Sequence, residues 1–154
     1  MLKEPEPSYK SEAMQRGNDL EPLAKERYFQ ETFGAIRSIT MFISDCSNYG
    51  YSPDGLIGDD GLIEIKCPLA TTHANYLLNN KLPTDYLQQV QGGLWVSGRK
   101  WCDFVSYHPN FKENDIFIIR VDRDEEYIKL LKDAVLQTIQ KRDDIFKQLT
   151  KERG

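Results

Sequence analysis

The sequence predicts an α/β domain, a mixed β-sheet with helices packed against it. Three observations carry that prediction. Short apolar runs such as "GLIEIKCP" (61–68) and "DIFIIRVDR" (115–123) have the length and composition of strands. Longer segments around them repeat apolar residues at helical spacing. The two kinds follow one another as helix, three strands, helix, two strands, helix, an order that one sheet flanked by helices accommodates.

Residues 1–10, with Pro5 and Pro7, read as a loose arm. From Ser11 the pattern turns helical: Leu20, Leu23, Ala24 and Tyr28 share a face, and Gly34 is a stop signal. Pro22 fits best in the first turn of a helix capped by Asn18 or Asp19, which predicts a break or kink near Gly17. "SITMFIS" (38–44) reads as a strand and "DCSNYG" (45–50) as a turn. "YSPDGLIG" and "GLIEIKCP" read as a hairpin joined by "DDG". Residues 71–80 suggest a short helix, and 85–96 a clearer one ending near Gly98. "KWCDFVSYHP" alternates as a strand does, and "DIFIIRVDR" is apolar enough to lie centrally. A long amphipathic helix follows Asp122, with Glu125 placed for a capping box and Tyr127, Leu131, Ala134 and Leu149 on its apolar stripe. There is no internal repeat, and residues 1–154 read as a single domain.

The composition narrows the function classes. A chain of 154 residues can bury a real core. An apolar share of 40% and a charged share of 29% fit a soluble globular protein. No apolar run reaches membrane-spanning length, and "MLKEPEPSYKSE" lacks the apolar stretch of a signal peptide, so no export is expected. Cys46, Cys67 and Cys102 lack metal-site spacing and read as reduced thiols of a cytoplasmic protein. The net charge of −4 argues against a non-specific nucleic-acid binder, although a net charge averages over faces. A carboxylate site would itself add negative charge, to be balanced by metal.

The chemistry concentrates in "SPDGLIGDDGLIEIKCP" (52–68). In a strand, Leu62, Glu64 and Lys66 leave one face while Ile63, Ile65 and Cys67 leave the other. Charged residues are seldom buried unless paired. With Asp54 upstream they form PD-(x)n-E-x-K. Hard divalent cations take oxygen ligands, and Mg²⁺ commonly uses one or two carboxylates and keeps several waters. A hairpin would bring Asp54 and Glu64 together, and a cation would relieve their repulsion. Lys66 beside them could hold a water or stabilise phosphate charge. On residue chemistry alone a plainer reading stands beside this one: Asp54 as a turn residue, and Glu64 with Lys66 as the solvated face of an edge strand.

The same stretch resembles the core of the phage lambda-type exonuclease family, the YqaJ-like recombinases, a branch of the PD-(D/E)xK nuclease superfamily. The resemblance includes the Ser-Pro-Asp-Gly-Leu opening, the ten-residue step to Glu64 and the Lys-Cys-Pro close. It continues in "YLQQVQGGLWV", "FVSYHPNFK" and "VDRDEEY", and upstream in "RGNDLEPLAKERY". It implies a restriction-endonuclease-like core. It implies a Mg²⁺-dependent exonuclease, with Mn²⁺ as substitute, acting 5′-to-3′ on double-stranded DNA in phage-type recombination. Asp54, Glu64 and the backbone carbonyl of Ile65 would be metal ligands. Lys66 would orient or activate water, Glu21 would touch a second metal or its water shell, and Gln89 would position the nucleophile or the lysine. In the family a longer N-terminal region grips the DNA end and supplies a basic residue for the 5′-phosphate. Here Arg16, Lys25 and Arg27 are the nearby substitutes, and His73 lies near where relatives contact DNA. The implied partners are DNA, a single-strand annealing protein and two further copies in a ring-shaped trimer, in a bacterial host's cytoplasm if the gene is a phage's. A structure-selective or single-strand endonuclease, or a non-catalytic DNA-binding scaffold, would use the same fold.

Overall fold

The computed structural model describes residues 12–45 and 47–151, the side chain of Lys151 excepted. The expected arm at 1–10 and Cys46 lie outside the described residues. The elements run α1 (Glu12–Thr32), β1 (Ile36–Arg37), β2 (Phe42–Ile43), β3 (Gly50–Tyr51), β4 (Gly55–Ile57) and β5 (Gly61–Lys66). Then come α2 (Ala70–Asn79), α3 (Thr84–Ser97), β6 (Trp101–Tyr107), β7 (Ile116–Asp122) and α4 (Glu125–Lys151). Five strands form a mixed sheet in the order β1-β4-β5-β6-β7, and β2 with β3 forms a separate two-stranded sheet. Only β5 and β6 are parallel, which requires the crossover supplied by α2 and α3.

The period-2 pattern of β5 sorts the core into two layers. Ile63 and Ile65 pack with Ala24 and Tyr28 of α1 and with Val105 and Tyr107 of β6. On the other face Leu62 packs with Tyr51, Leu56, Val90, Leu94, Cys102 and Ile128. The β4–β5 hairpin turns through Gly58, whose φ of +54° is a conformation that side-chain-bearing residues rarely adopt.

Several expectations need correction. α1 is continuous from Glu12 to Thr32 with Pro22 inside it, so there is no break at Gly17. Packing of Ala24 and Tyr28 on the sheet offsets the missing amide. Leu23 points out, 48% exposed. "SITMFIS" contributes only the two residues of β2, while β1 had no pattern to reveal it. The strand β7 is at the sheet edge rather than central, paired on one side by β6 alone. The cap of α4 is Asp124, whose Oδ1 accepts the Tyr127 amide at 2.9 Å, and Glu125 pairs with Arg123. Only the first turns of α4 bury side chains, Ile128 and Leu131, so Ala134 and Leu149 on the expected stripe are exposed.

One charged cluster locks α1 to the sheet. Asp103 on β6 is 2% exposed and accepts both Nε and Nη2 of Arg120, at 2.8 and 2.9 Å, and the Tyr28 hydroxyl at 2.7 Å. The Arg120 guanidinium also stacks 3.6 Å from the Trp101 ring centroid. Replacing Arg120 by Met should therefore destabilise the fold by roughly 2–3 kcal/mol, below the full cost of breaking a buried pair because the arginine is half exposed. Tyr28→Phe should cost about 1 kcal/mol. Urea unfolding of the two variants checks both values and their order.

Candidate active site

Glu64 sits near the end of β5 with 3% of its surface exposed. Such a carboxylate loses its hydration and must find donors in the protein. Three converge on it. Lys66 Nζ donates to Oε1 at 2.7 Å, Gln89 Nε2 donates to the same oxygen at 2.6 Å, and the Tyr51 hydroxyl donates to Oε2 at 3.0 Å. Each donor has a local cause. Lys66 follows Glu64 by two residues, so the strand period places both on one face. Gln89 lies on α3, which packs over that face. Tyr51 ends β3 just before Ser52 and Pro53 turn the chain toward Asp54.

Asp54 precedes β4, and its Oδ2 accepts the Ile65 amide at 2.6 Å. Burial, then the negative charge of Glu64 and a smaller contribution from Glu21, push its pKa up to about 6. The Ile65 amide and Lys66 resist that shift without cancelling it. Burial alone would lower the Lys66 pKa, but Glu64 and Asp54 outweigh it and hold the ammonium above its ordinary value. Lys66 Nζ also lies 5.0 Å from the centroid of the Tyr86 ring. Tyr86 in turn packs against Phe104 with ring centroids 5.0 Å apart.

A cleft of about 420 Å³ opens beside these groups, lined by Glu21, Ile65, Lys66, Cys67 and Tyr86 among others. Glu21 reaches this cleft from α1 and pairs with Lys25 at 2.6 Å. Among the described residues no three His, Cys, Asp or Glu side chains form a ready metal cage. The donor set instead fits a hard cation held by two carboxylates and a carbonyl, with water completing the shell. A cation there would also favour the charged form of Asp54, which burial and the charge of Glu64 disfavour.

The structure thus brings Asp54, Glu64, Ile65, Lys66 and Gln89 together, with Glu21 at the cleft wall. Gln89 holds Glu64 rather than the lysine. The basic residues of α1 are spent nearby: Arg16 donates to the Cys67 carbonyl at 3.0 Å, and Arg27 pairs with Asp115 and Glu31. His73 is fully buried, with Nδ1 2.7 Å from Ser106 Oγ and Nε2 2.8 Å from the Asn114 carbonyl. That burial gives it a structural role in place of the expected DNA contact. Tyr51 is the site residue that sequence reasoning missed, because a tyrosine opening an apolar strand looks like any core aromatic.

Comparison with known proteins gives the family and confirms the fold. Residues 1–100 match the YqaJ-like viral recombinase domain family. The alkaline exonuclease LHK-Exo from Laribacter hongkongensis superposes with a TM-score of 0.84 and 34% identity, covering 95% of this chain and 78% of that one. Its complex with dAMP gives a TM-score of 0.85. A phage-related exonuclease from Haemophilus somnus 129PT shares the fold at a TM-score of 0.72 and 15% identity, covering 92% of this chain and 76% of that one. An uncharacterized Escherichia coli K12 protein, ExoD, is 27% identical over 64 residues, 42% of this chain and 74% of ExoD. The chain belongs to the YqaJ-like viral recombinases, a family of lambda-type exonucleases.

Proposed function

We propose that this chain is a single-domain, Mg²⁺-dependent deoxyribonuclease that digests double-stranded DNA 5′-to-3′ from an end. The observation that carries the reading is Glu64: a carboxylate buried on a core strand, gripped by Lys66 and Gln89, and set beside an under-compensated Asp54. Kinship with an alkaline exonuclease over most of the chain supports the reaction class. The family resemblance supports the polarity, the duplex substrate, a ring-shaped trimer, a single-strand annealing partner and a setting in a bacterial host's cytoplasm.

Asp54, Glu64 and the Ile65 carbonyl would hold the cation, and Glu21 on the cleft wall would meet a second cation through water. When bound, such a cation supplies charge for the attacking and leaving oxygens of a phosphodiester. The residues themselves do the positioning. Gln89 keeps Glu64 oriented. Lys66, fixed between Glu64 and the Tyr86 face, presents an ammonium to phosphate or to the attacking water. Arg16, bonded to the Cys67 carbonyl and lining a pocket that shares Ala13, Cys67 and Pro68 with the cleft, would meet a DNA phosphate. Lys25 and Arg27 are secondary contributors, already paired with acids.

Asp54→Ala and Glu64→Ala should each abolish release of nucleotides from end-labelled linear duplex while leaving the circular-dichroism spectrum unchanged, and EDTA should do the same to the wild type. Full activity in EDTA would overturn metal dependence, and cutting of closed circular DNA would replace the exonuclease by an endonuclease. Lys66→Ala should slow cleavage by about 10²-fold or more, as loss of an acid–base or electrostatic group does. Lys66→Arg should not restore the rate, because a planar fork cannot occupy the place of a point ammonium between Glu64 and Tyr86. Light scattering at micromolar protein should report a trimer.

A further inference from the structure

The third donor on Glu64 comes from outside the nuclease motif. Lys66 and Gln89 both act on Oε1, while Tyr51 of the small sheet acts on Oε2. The terminal torsion of a glutamate is soft and turns both oxygens together, so donors on opposite oxygens resist that rotation better than donors on one. A donor on each oxygen fixes the plane of the carboxylate.

The Tyr51 ring has a built seat. It is 6% exposed, within the core layer that includes Leu56, Leu62 and Val90. Gly93 of α3 makes the seat: a Cβ there would lie 2.5 Å from the ring atoms Cε1 and Cζ. Gly93 follows Gln89 by four residues, so one stripe of α3 supplies both the amide donor and the space for the phenol. An ordinary core tyrosine needs some acceptor for its hydroxyl. It does not need the same carboxylate that a lysine and a helix glutamine already serve.

Resting on the metal-nuclease reading above, we propose that Tyr51 is a positioning residue whose hydroxyl fixes Glu64 Oε2, so that Glu64 meets a divalent cation in one orientation. Groups that orient metal ligands typically change affinity by about 10–100-fold when removed. Tyr51→Phe removes only the hydroxyl and keeps the ring against Gly93. Gly93→Ala keeps the hydroxyl but displaces the ring.

The test is a calorimetric titration of Mn²⁺ into DNA-free protein, for the wild type, Tyr51→Phe, Gly93→Ala, Tyr49→Phe and Asp54→Ala, with folding checked by circular dichroism. Tyr49 stacks on Trp95 and serves as a phenol without a role at Glu64. Tyr51→Phe should bind Mn²⁺ about tenfold or more weakly, Gly93→Ala should shift the same way, and Tyr49→Phe should match the wild type. Raising Mn²⁺ should restore most of the Tyr51→Phe cleavage rate, since the hydroxyl touches no reacting atom. Asp54-dependent binding that Tyr51→Phe leaves unchanged would overturn this inference alone. A wild type that binds no Mn²⁺, or binds it equally after Asp54→Ala, would overturn the metal-nuclease reading together with it.

Discussion

The structure around β5 follows from one constraint, that an ionised carboxylate stripped of water must be met by donors. Glu64 lies on a strand flanked on both sides, so solvent cannot supply them. The strand period provides Lys66, α3 provides Gln89, and the separate β2–β3 sheet provides Tyr51. Two further elements, α3 and the small sheet, are thereby tied to one side chain of β5. Even the small residues of α3 answer to it, since Gly93 gives the Tyr51 ring its place.

A second buried carboxylate shows what a completed charge set looks like. Asp103 stands opposite Ile63 in the parallel β5–β6 register, on the α1 face of the sheet. Its two oxygens meet the two-pronged Arg120 and the Tyr28 hydroxyl. That cluster is closed, and its role is to fasten α1 and β7 to β6. On the other face the donors are different. Lys66 bonds Glu64, Asp54 accepts the Ile65 amide, and burial with the charge of Glu64 pushes the Asp54 pKa up to about 6. The two clusters differ in their donors and in the cleft of about 420 Å³ that opens beside Ile65 and Lys66.

The sequence made the motif legible because its physics is local. Face alternation in 61–66 places Glu64 and Lys66 together without any tertiary information, and the four-residue spacing of Gln89 and Gly93 is a helix property. The hairpin of β4 and β5 is legible too, although its turn is residues 58–60 and Gly61 of the expected Asp-Asp-Gly turn already pairs within β5. What stayed hidden depends on long-range packing. Tyr51 becomes a partner of Glu64 only when β3 folds beside β5. Residues 36–37 are too few to show a period, yet they pair with β4 as an edge strand. Pro22 argued for a break that the sheet contacts of Ala24 and Tyr28 override. By resemblance His73 is expected near the DNA, and only the packing of α2 shows its ring nitrogens beside Ser106 Oγ and the Asn114 carbonyl.

The most direct test of the central claim is anomalous diffraction from crystals soaked in Mn²⁺. The expected result is a peak coordinated by carboxylate oxygens of Asp54 and Glu64 and by the Ile65 carbonyl, on the side of the cleft that Glu21 and Lys66 line. A peak bound elsewhere, with Asp54 and Glu64 unaltered and bridged only by their protein donors, would contradict it.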